Sequence, residues 1–188
     1  NAPNKVLKGI QRWILENILS DFPIHDSAMA YIKNKSIKNN AELHLGKKYI
    51  ISCDLEEFYT NIKKIDIIKY FNKYYDIKLV YWISEICTFS DYLPQGAVTS
   101  PTLSNILFYD VDDKIAQYCA NHGIVYTRYS DDISISSNNY DKLYDCYLYI
   151  KKLITEKHHK INTEKTKIMS GKYARHVTGI NICYNENK

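Results

Sequence analysis

The sequence lacks the residue groupings that hold zinc or build a disulfide framework. Its five cysteines are scattered over 188 residues, with no Cys-x-x-Cys pair and no Cys/His cluster at zinc-ligand spacing. His158 and His159 adjoin no cysteine, and we interpret them as surface residues. The scatter predicts buried free thiols in a reducing compartment, the cytoplasm. No signal peptide and no membrane-spanning apolar run is recognisable, so no membrane partner is expected.

A strong net charge is also absent. The chain has 25 basic and 21 acidic residues, and the net charge of +4 is too small to indicate a nucleic-acid partner by itself. Its distribution is more informative, because residues 1–48 carry a balance of +4 and residues 151–175 hold eight basic against two acidic residues. Two basic segments around an aspartate-rich middle suit a phosphate backbone held around a cation site. Two solvated helix faces are the alternative explanation.

The hydrophobic pattern predicts one domain, or one lobed domain, of mixed helices and strands. At 45% apolar residues the chain can bury a proper core. Helical periodicity predicts helices at 5–19, 62–75, 79–88, 101–122 and 141–154, the fourth with Ser100 as N-cap. Short apolar or alternating stretches predict strands at 49–53, 124–128, 133–136, 167–169 and 176–182. This order predicts an α+β fold with helices packed on one face of an antiparallel sheet.

Three aspartates stand at predicted strand ends. Asp131 and Asp132 occupy the tip of a predicted hairpin, and Asp54 follows another apolar strand. If the two strands are neighbours, the carboxylates converge, and a hard cation such as Mg²⁺ relieves their repulsion. Two such ions support phosphoryl transfer by activating the attacking hydroxyl and stabilising the leaving oxygen. The alternative is a solvated acidic turn with no bound metal.

Four motifs then resemble those of reverse transcriptases, in the order that this family has them. Tyr129-Ser130-Asp131-Asp132 resembles the Tyr-x-Asp-Asp box, and residues 51–59, with an aromatic residue five positions after Asp54, resemble the first catalytic motif. Leu93-Pro94-Gln95-Gly96, followed by Ser100-Pro101, is similar to the Pro-Gln-Gly…Ser-Pro motif. Residues 161–167 resemble the Asn-x-x-Lys-Thr element. The chain is therefore identified as a member of this family.

Two further stretches favour the bacterial branch of the family, the retron and group II intron enzymes. Residues 7–14 resemble their opening helix, and Val177-Thr178-Gly179 resembles an element of the retron type. The resemblance covers residues 7 to about 182. It implies a bacterial, cytoplasmic enzyme whose partners are an RNA template, a DNA or RNA primer, dNTPs and a cognate non-coding or intron RNA.

The resemblance also assigns catalytic and metal-binding roles by position. Asp54 and Asp131 match the principal ligands of two Mg²⁺ ions, for which Mn²⁺ can substitute, with the Leu55 carbonyl at the metal. Asp132 matches the second member of the box, which often lies nearer the primer end. Lys165 matches a lysine proposed to assist the leaving pyrophosphate, and Lys167 is the alternative for that role.

The nucleotide and nucleic-acid contacts follow in the same way. Tyr59 matches the steric gate that excludes a 2′-hydroxyl, with a core tyrosine as the alternative. Gln95 and Gly96 match residues that line the incoming nucleotide. Contacts to nucleic acid are expected from Arg12, Lys35 and Tyr129. For Arg12 and Lys35, a plain surface role is the alternative. Structural roles are expected for Phe58, Asn105 and Asp112, the last on a polar helix face.

The implied architecture is a polymerase palm with part of the fingers. Residues 1–48 and 63–98 are expected in the fingers, and residues 49–62 and 99–188 in the palm. The basic fingers hairpin and the thumb are expected to be absent, so the isolated fragment is expected to have little activity. The implied function is an RNA-directed DNA polymerase. Two alternatives stay open: a defence-associated polymerase with an unconventional template or none, and a non-catalytic nucleic-acid-binding relative.

Overall fold

The computed structural model describes residues 3–171 and 174–182, and the chain divides into two compact units. The first unit contains Asn1–His25 and Glu57–Tyr109, and the second contains Asp26–Glu56 and Asp110–Lys188. The bounds of these two units follow from contacts within the structure and do not test the predicted fingers and palm. The assignment of residues to fingers and palm stays a prediction.

The second unit is built on a four-stranded antiparallel sheet with the strand order β2-β3-β1-β4. Its strands are β1 (Tyr49–Leu55), β2 (Val125–Tyr129), β3 (Asp132–Ser137) and β4 (Ile161–Ser170). A separate two-stranded sheet pairs β5 (Arg175–Val177) with β6 (Ile180–Ile182). The apolar strand β1 lies at an inner position of the larger sheet, which agrees with its nearly continuous hydrophobic run.

Two long helices cover one face of this sheet: α7 (Tyr109–His122) and α8 (Tyr140–Glu156). Because side chains alternate along a strand, one face carries the apolar residues Ile51, Cys53 and Leu55 of β1. The Sγ atoms of Cys119 in α7 and Cys146 in α8 lie 3.4 Å apart in the same layer. The α+β expectation, with helices on one face of an antiparallel sheet, is confirmed.

The opposite face of the sheet is more polar and is only partly covered. Helix α2 (Ile37–Glu42) lies beside β5 and β6, and His44 follows it. The buried His44 ring lies 2.7 Å from the Ser136 hydroxyl and 2.8 Å from the Thr127 hydroxyl. Burial, together with the charge of Lys47, lowers the pKa of His44 to about 4, so the ring is neutral at pH 7.

The first unit consists of short helices around an aromatic and aliphatic core. They are α1 (Lys5–Asn17), a 3-10 turn (Leu19–Asp21), α3 (Phe58–Asn61), α4 (Lys64–Phe71), α5 (Ile77–Cys87) and α6 (Ser100–Leu107). Phe22 packs edge-on against Phe71, with 4.8 Å between the ring centroids, and Ile67 and Val80 are fully buried. Among the described residues, no helix has the length and apolarity needed to cross a bilayer.

Several sequence expectations need correction. The helix predicted at 101–122 ends at Leu107, and α7 begins at Tyr109. The strand predicted at 176–182 is a hairpin, whose turn residues Thr178 and Gly179 have positive φ angles of 47° and 80°. β4 begins at Ile161, six residues earlier than predicted, because its exposed first half is polar and lacks the apolar signal of a buried strand.

The burial of individual residues also tests the sequence interpretation. Cys53, Cys87, Cys119 and Cys146 are free and buried, as expected, whereas Cys183 lies outside the described residues. The surface interpretation of His159 is wrong, because only 6% of this residue is exposed. The polar-face interpretation of Asp112 is also wrong. This residue is fully buried.

Candidate active site

The acidic pair lies at the β2–β3 hairpin, as the sequence predicts. Tyr129 pairs with Asp132, which leaves Ser130 and Asp131 as the two turn residues. Ser130 has a positive φ of 60°, as the first turn residue of a tight hairpin requires. The backbone N–H of Leu55 donates to the Asp131 carbonyl at 3.0 Å, so the turn is joined to the end of β1.

Asp54 lies directly opposite Asp132 across the β1–β3 ladder. Directly opposed residues project to the same face of a sheet, here the polar face. Shielding from water raises the pKa of Asp132 to about 6, and the charges of Asp131 and Asp54 add to this effect. The positive charges of Lys165 and Lys167 oppose it. The strand pairing therefore creates a real charge conflict among three carboxyl groups.

Lys165 reaches this group from β4. Its Nζ lies 3.3 Å from Oδ1 of Asp54. The β1–β4 register shifts between Ser52 and Asp54, so the facing part of β4 is irregular. Asn162 stabilises this irregular segment, because its Oδ1 accepts hydrogen bonds from the backbone N–H groups of Glu164 and Lys165, both at 3.1 Å. The Asn-x-x-Lys motif thus forms a turn that the Asn162 side chain caps and that directs Lys165 toward Asp54.

A cavity of about 640 Å³ opens over these residues on the polar face of the sheet. Its lining includes Ser52, Asp54, Asp132, Ser134, Lys165, Lys167, His176, Thr178 and Gly179. The lining therefore combines acidic, basic and polar side chains. This combination suits a ligand that carries phosphate groups together with cations.

The carboxylates fit a hard divalent cation by their chemistry. They supply only oxygen donors, and the charges of Asp131 and Asp54 add to the effect of burial in raising the pKa of Asp132. Asp54 already has a cationic partner in Lys165. Within residues 3–171 and 174–182, no group of three His, Cys, Asp or Glu side chains is arranged to hold a metal by itself. Oxygen ligands from a substrate would complete such a site, as Mg²⁺ commonly requires.

Of the residues predicted at the nucleotide, Leu55 ends β1 in the second unit, whereas Tyr59, Gln95 and Gly96 lie in the first unit. Two of these three line a second cavity. Tyr59 and Gln95 line a space of about 350 Å³ together with Glu57, Thr60, Phe89, Tyr92 and Pro94. Gly96 has a positive φ of 86°, a conformation that other residues rarely adopt. The structure therefore brings Tyr59 and Gln95 together, although they are 36 positions apart in the sequence.

Gln11, which the sequence interpretation passed over, supports this loop. Its buried amide donates to the Ile86 carbonyl at 2.9 Å and accepts from the Val98 N–H at 3.3 Å. The hydroxyl of Ser100 donates to the Pro94 carbonyl at 2.7 Å, and the N-cap position is taken by Thr99, which corrects the predicted cap. No sequence signal distinguishes Gln11 from a surface residue, because the buried side of α1 is set by partners distant in the chain.

The three residues predicted to contact nucleic acid have different environments. Arg12 is exposed on α1, and Tyr129 is half-buried at the end of β2. Lys35 donates from its Nζ to the carbonyls of Asp26 and Ala28, at 2.7 and 3.0 Å, so its ammonium stabilises a loop of its own unit. Their contacts to nucleic acid stay predictions.

Solved structures of similar fold include telomerases. The apo telomerase from Candida tropicalis aligns over 96% of this chain and 38% of its own, with a TM-score of 0.65 and 14% identity. The Candida albicans telomerase in complex with the TWJ fragment of telomeric RNA aligns over 93% of this chain and 37% of its own, with a TM-score of 0.65 and 12% identity. At these identities the likeness concerns the fold alone.

Curated relatives of higher identity include retron enzymes of Escherichia coli. The retron Ec86 reverse transcriptase is 32% identical over 181 residues, which cover 96% of this chain and 57% of the relative. The retron Ec73 reverse transcriptase is 37% identical in an alignment that covers 97% of this chain and 63% of the relative. The chain thus spans about three fifths of the length of these two relatives.

The family assignment rests on the whole described chain. A family model described as reverse transcriptase (RNA-dependent DNA polymerase) matches residues 1–182, which include all four motifs and both cavities. The chain therefore belongs to the reverse transcriptase family, and within that family it is similar to the bacterial retron enzymes.

Proposed function

We propose that this chain is the polymerase core of an RNA-directed DNA polymerase that transfers nucleotides from dNTPs to a primer 3′-hydroxyl. One observation carries the proposal: Asp54 and Asp132 are cross-strand partners on the open face of the sheet, and Asp131 lies in the adjoining turn. Family members that use divalent ions need such a cluster of hard oxygen donors. We propose that residues 49–62 and 99–188 form the palm and that residues 1–48 and 63–98 form part of the fingers.

The carboxylates of Asp54, Asp131 and Asp132, with the Leu55 carbonyl, would hold two Mg²⁺ ions, for which Mn²⁺ would substitute. When bound, such ions favour deprotonation of the primer hydroxyl and neutralise charge on the triphosphate. Lys165 already lies beside Asp54, which suits a role in neutralising or protonating the departing pyrophosphate. Lys167 lines the same cavity and is the alternative.

For the incoming nucleotide, we propose contacts from Tyr59, Gln95 and Gly96. The shared cavity of Tyr59 and Gln95 supports this assignment, because one small ligand can touch both side chains. The Tyr59 ring would pack against the sugar and clash with a 2′-hydroxyl. The positive φ of Gly96 lets the backbone of the loop approach a ligand closely.

The partners we propose are an RNA template, a DNA or RNA primer, and a cognate RNA. Similarity to retron enzymes favours a retron non-coding RNA over an intron RNA as that partner. The template would be held through its shape and phosphates, since double-stranded regions offer few base edges to side chains. Bacterial relatives and four buried free cysteines support a cytoplasmic location.

A primer-extension assay tests the proposal. The native full-length protein should incorporate dTTP on poly(rA)/oligo(dT) in the presence of Mg²⁺. Asp131→Asn should lower the rate by at least a hundredfold, whereas Asp145→Asn, which changes an exposed aspartate of α8, should leave it unchanged. Absence of incorporation, or equal rates for the two variants, would sink the mechanism. Incorporation that does not need the template would favour the defence-type polymerase instead.

Sugar selection tests the role of Tyr59. Tyr59→Ala should raise the efficiency of rNTP use relative to dNTP use at least tenfold, because the ring that clashes with the 2′-hydroxyl is removed. The ratio of kcat/KM for the two sugars is the measurement, and Tyr144→Ala, at an exposed position of α8, is the control. An unchanged ratio would return Tyr59 to a purely structural role.

A further inference from the structure

A fully buried ion pair lies directly behind the acidic hairpin. Arg128 of β2 and Asp112 of α7 are both inaccessible to solvent. The guanidinium donates to the carboxylate from two nitrogens, Nε to Oδ1 at 2.9 Å and Nη2 to Oδ2 at 2.7 Å. This two-point geometry fixes the plane of the guanidinium as well as its position.

The hydroxyl of Tyr126 completes the support of this carboxylate. It donates to Asp112 Oδ1 at 2.6 Å. Burial and the charge of Asp112 raise the pKa of Tyr126, so the phenol stays protonated and keeps donating. Asp112 therefore accepts three hydrogen bonds within its own unit, which compensates its removal from water.

The remaining nitrogen of the guanidinium points to the catalytic turn. Nη1 of Arg128 donates to the Ser130 carbonyl at 2.9 Å. Ser130 has the strained positive φ of the turn, and its carbonyl belongs to the peptide bond that leads to Asp131. A bond at this carbonyl fixes the orientation of the peptide that presents the first carboxylate of the pair.

The backbone of Arg128 is held as firmly as its side chain. Its N–H donates to the Ser27 carbonyl, and its carbonyl accepts from the Met29 N–H, both at 2.8 Å. Lys35 in turn donates to the carbonyls of Asp26 and Ala28, which stabilises the same segment. The guanidinium therefore extends from an anchored strand and cannot follow the turn if the turn shifts.

We propose that Arg128 is a positioning residue that holds the Ser130–Asp131 turn in the conformation that catalysis requires, with Asp112 and Tyr126 holding Arg128. The inference rests on the proposed polymerase function. Buried ion pairs add little net stability compared with well-packed apolar residues. A directional role toward the Ser130 carbonyl explains why a guanidinium, with its fixed fork of donors, lies here.

Graded variants test this role. Arg128→Lys keeps the charge but cannot bond both Asp112 oxygens and the Ser130 carbonyl together. Tyr126→Phe removes one bond to Asp112 and leaves the fold intact. We expect kcat for dTTP incorporation to fall at least tenfold in Arg128→Lys and about threefold in Tyr126→Phe. The KM for dTTP should stay within twofold, and the half-saturating Mg²⁺ concentration should rise in both variants.

A matched core variant separates positioning from general stability. Leu143→Ala removes a fully buried aliphatic side chain of α8, which has no hydrogen-bonding group. Assayed well below its Tm, it should keep the native kcat and Mg²⁺ dependence. If the Arg128 and Tyr126 variants behave as Leu143→Ala does, with lower Tm but native kcat, the positioning role is wrong.

A structural readout keeps the inference testable if Arg128→Lys folds poorly. The Leu55 N–H donates to the Asp131 carbonyl, so its hydrogen exchange reports on the turn. Tyr126→Phe should speed exchange at Leu55 at least fivefold, with core amides such as that of Ile150 unchanged. Native exchange at Leu55 in that variant overturns the inference. If native protein shows no Mg²⁺-dependent incorporation, the proposed function fails, while the exchange result still tests the restraint on the turn.

Discussion

At the scale of single residues, the proton affinity of Asp132 is the clearest consequence of the strand pairing. Its pKa is raised from 3.8 to about 6, first by shielding from water and then by the charges of Asp131 and Asp54. The folded protein therefore binds this proton more tightly than the unfolded chain does. Consequently this proton stabilises the folded state fully below about pH 4, and the stabilisation falls as the pH rises from about 4 to about 6. Above this range the free energy of unfolding no longer depends on the titration of Asp132.

Urea titrations between pH 4 and 7 in EDTA check this prediction. Asp132→Asn should remove the Asp132 contribution, so the difference between native and variant unfolding free energies should change with pH only in that window. Carbon-13 NMR of the Asp132 carboxyl should show a midpoint near 6. A midpoint near 4, or a pH-independent difference, would contradict the effects of burial and neighbouring charge assigned to Asp132.

The two lysines of the large cavity should differ in their effect on activity. Lys165 is 65% exposed, so its pair with Asp54 is worth at most about 1 kcal/mol of stability. Lys165→Met should therefore leave Tm nearly unchanged and lower kcat roughly a hundredfold, as loss of a general acid does. Lys167→Met is the matched control, and a larger loss there would assign the role to Lys167.

At the scale of elements, the irregular start of β4 is the feature that brings Lys165 to Asp54. Asn162→Ala removes an oxygen that accepts two backbone N–H groups. We expect a loss of about 1 kcal/mol in unfolding free energy and a fall in kcat in the same direction as Lys165→Met. Chemical denaturation and primer extension measure the two effects.

Thr163→Ala is the control for this element, because Thr163 is exposed and adjoins Asn162 in the chain. It should change neither stability nor kcat appreciably. If Asn162→Ala destabilises the protein but leaves kcat native, the segment supports the strand without orienting Lys165.

The predictability of the elements followed the strength of the local pattern. β1 and the β2–β3 hairpin were recognisable because apolar runs end at turn residues within a few positions. The break between α6 and α7 was missed, because the apolar stripe of Leu103, Leu107 and Val111 continues across it. The polar half of β4 was missed because an exposed edge strand has no alternating apolar signal.

At the scale of the whole molecule, metal binding should be coupled to substrate binding. Within the described residues the carboxylates alone form no complete metal-binding group, so a substrate is expected to supply further oxygen ligands. Mg²⁺ alone should therefore shift Tm little. Mg²⁺ with dNTP and a primer–template at about 100 times Kd should add about 2.7 kcal/mol, a rise of several degrees.

Differential scanning calorimetry of native protein and Asp54→Asn measures this coupling. The variant should lose the Mg²⁺-dependent part of the rise in Tm, because the substitution removes one carboxylate ligand. It should retain any rise in Tm that nucleic acid produces alone. An equal Mg²⁺-dependent rise in both proteins would place the metal elsewhere.

The sequence by itself determined which chemical groups are available and where the chain turns. Asp54, the Asp131–Asp132 pair, Gln95 and Lys165 were recognisable because each lies in a short motif whose members are close in the chain. Strand ends and tight turns depend on local steric preferences and apolar patterns, which a single sequence records. The family and its α+β fold followed from these local signals.

Only the tertiary structure decided which of these groups meet. It paired Asp54 with Asp132, brought Lys165 to Asp54, and buried Asp112 against Arg128 sixteen positions away. Polar residues such as Gln11 and Asp112 look like surface residues in a sequence, because burial depends on partners distant in the chain. Long-range packing and hydrogen bonding therefore brought the acidic residues into one site and supplied the hydrogen bonds that hold its turn.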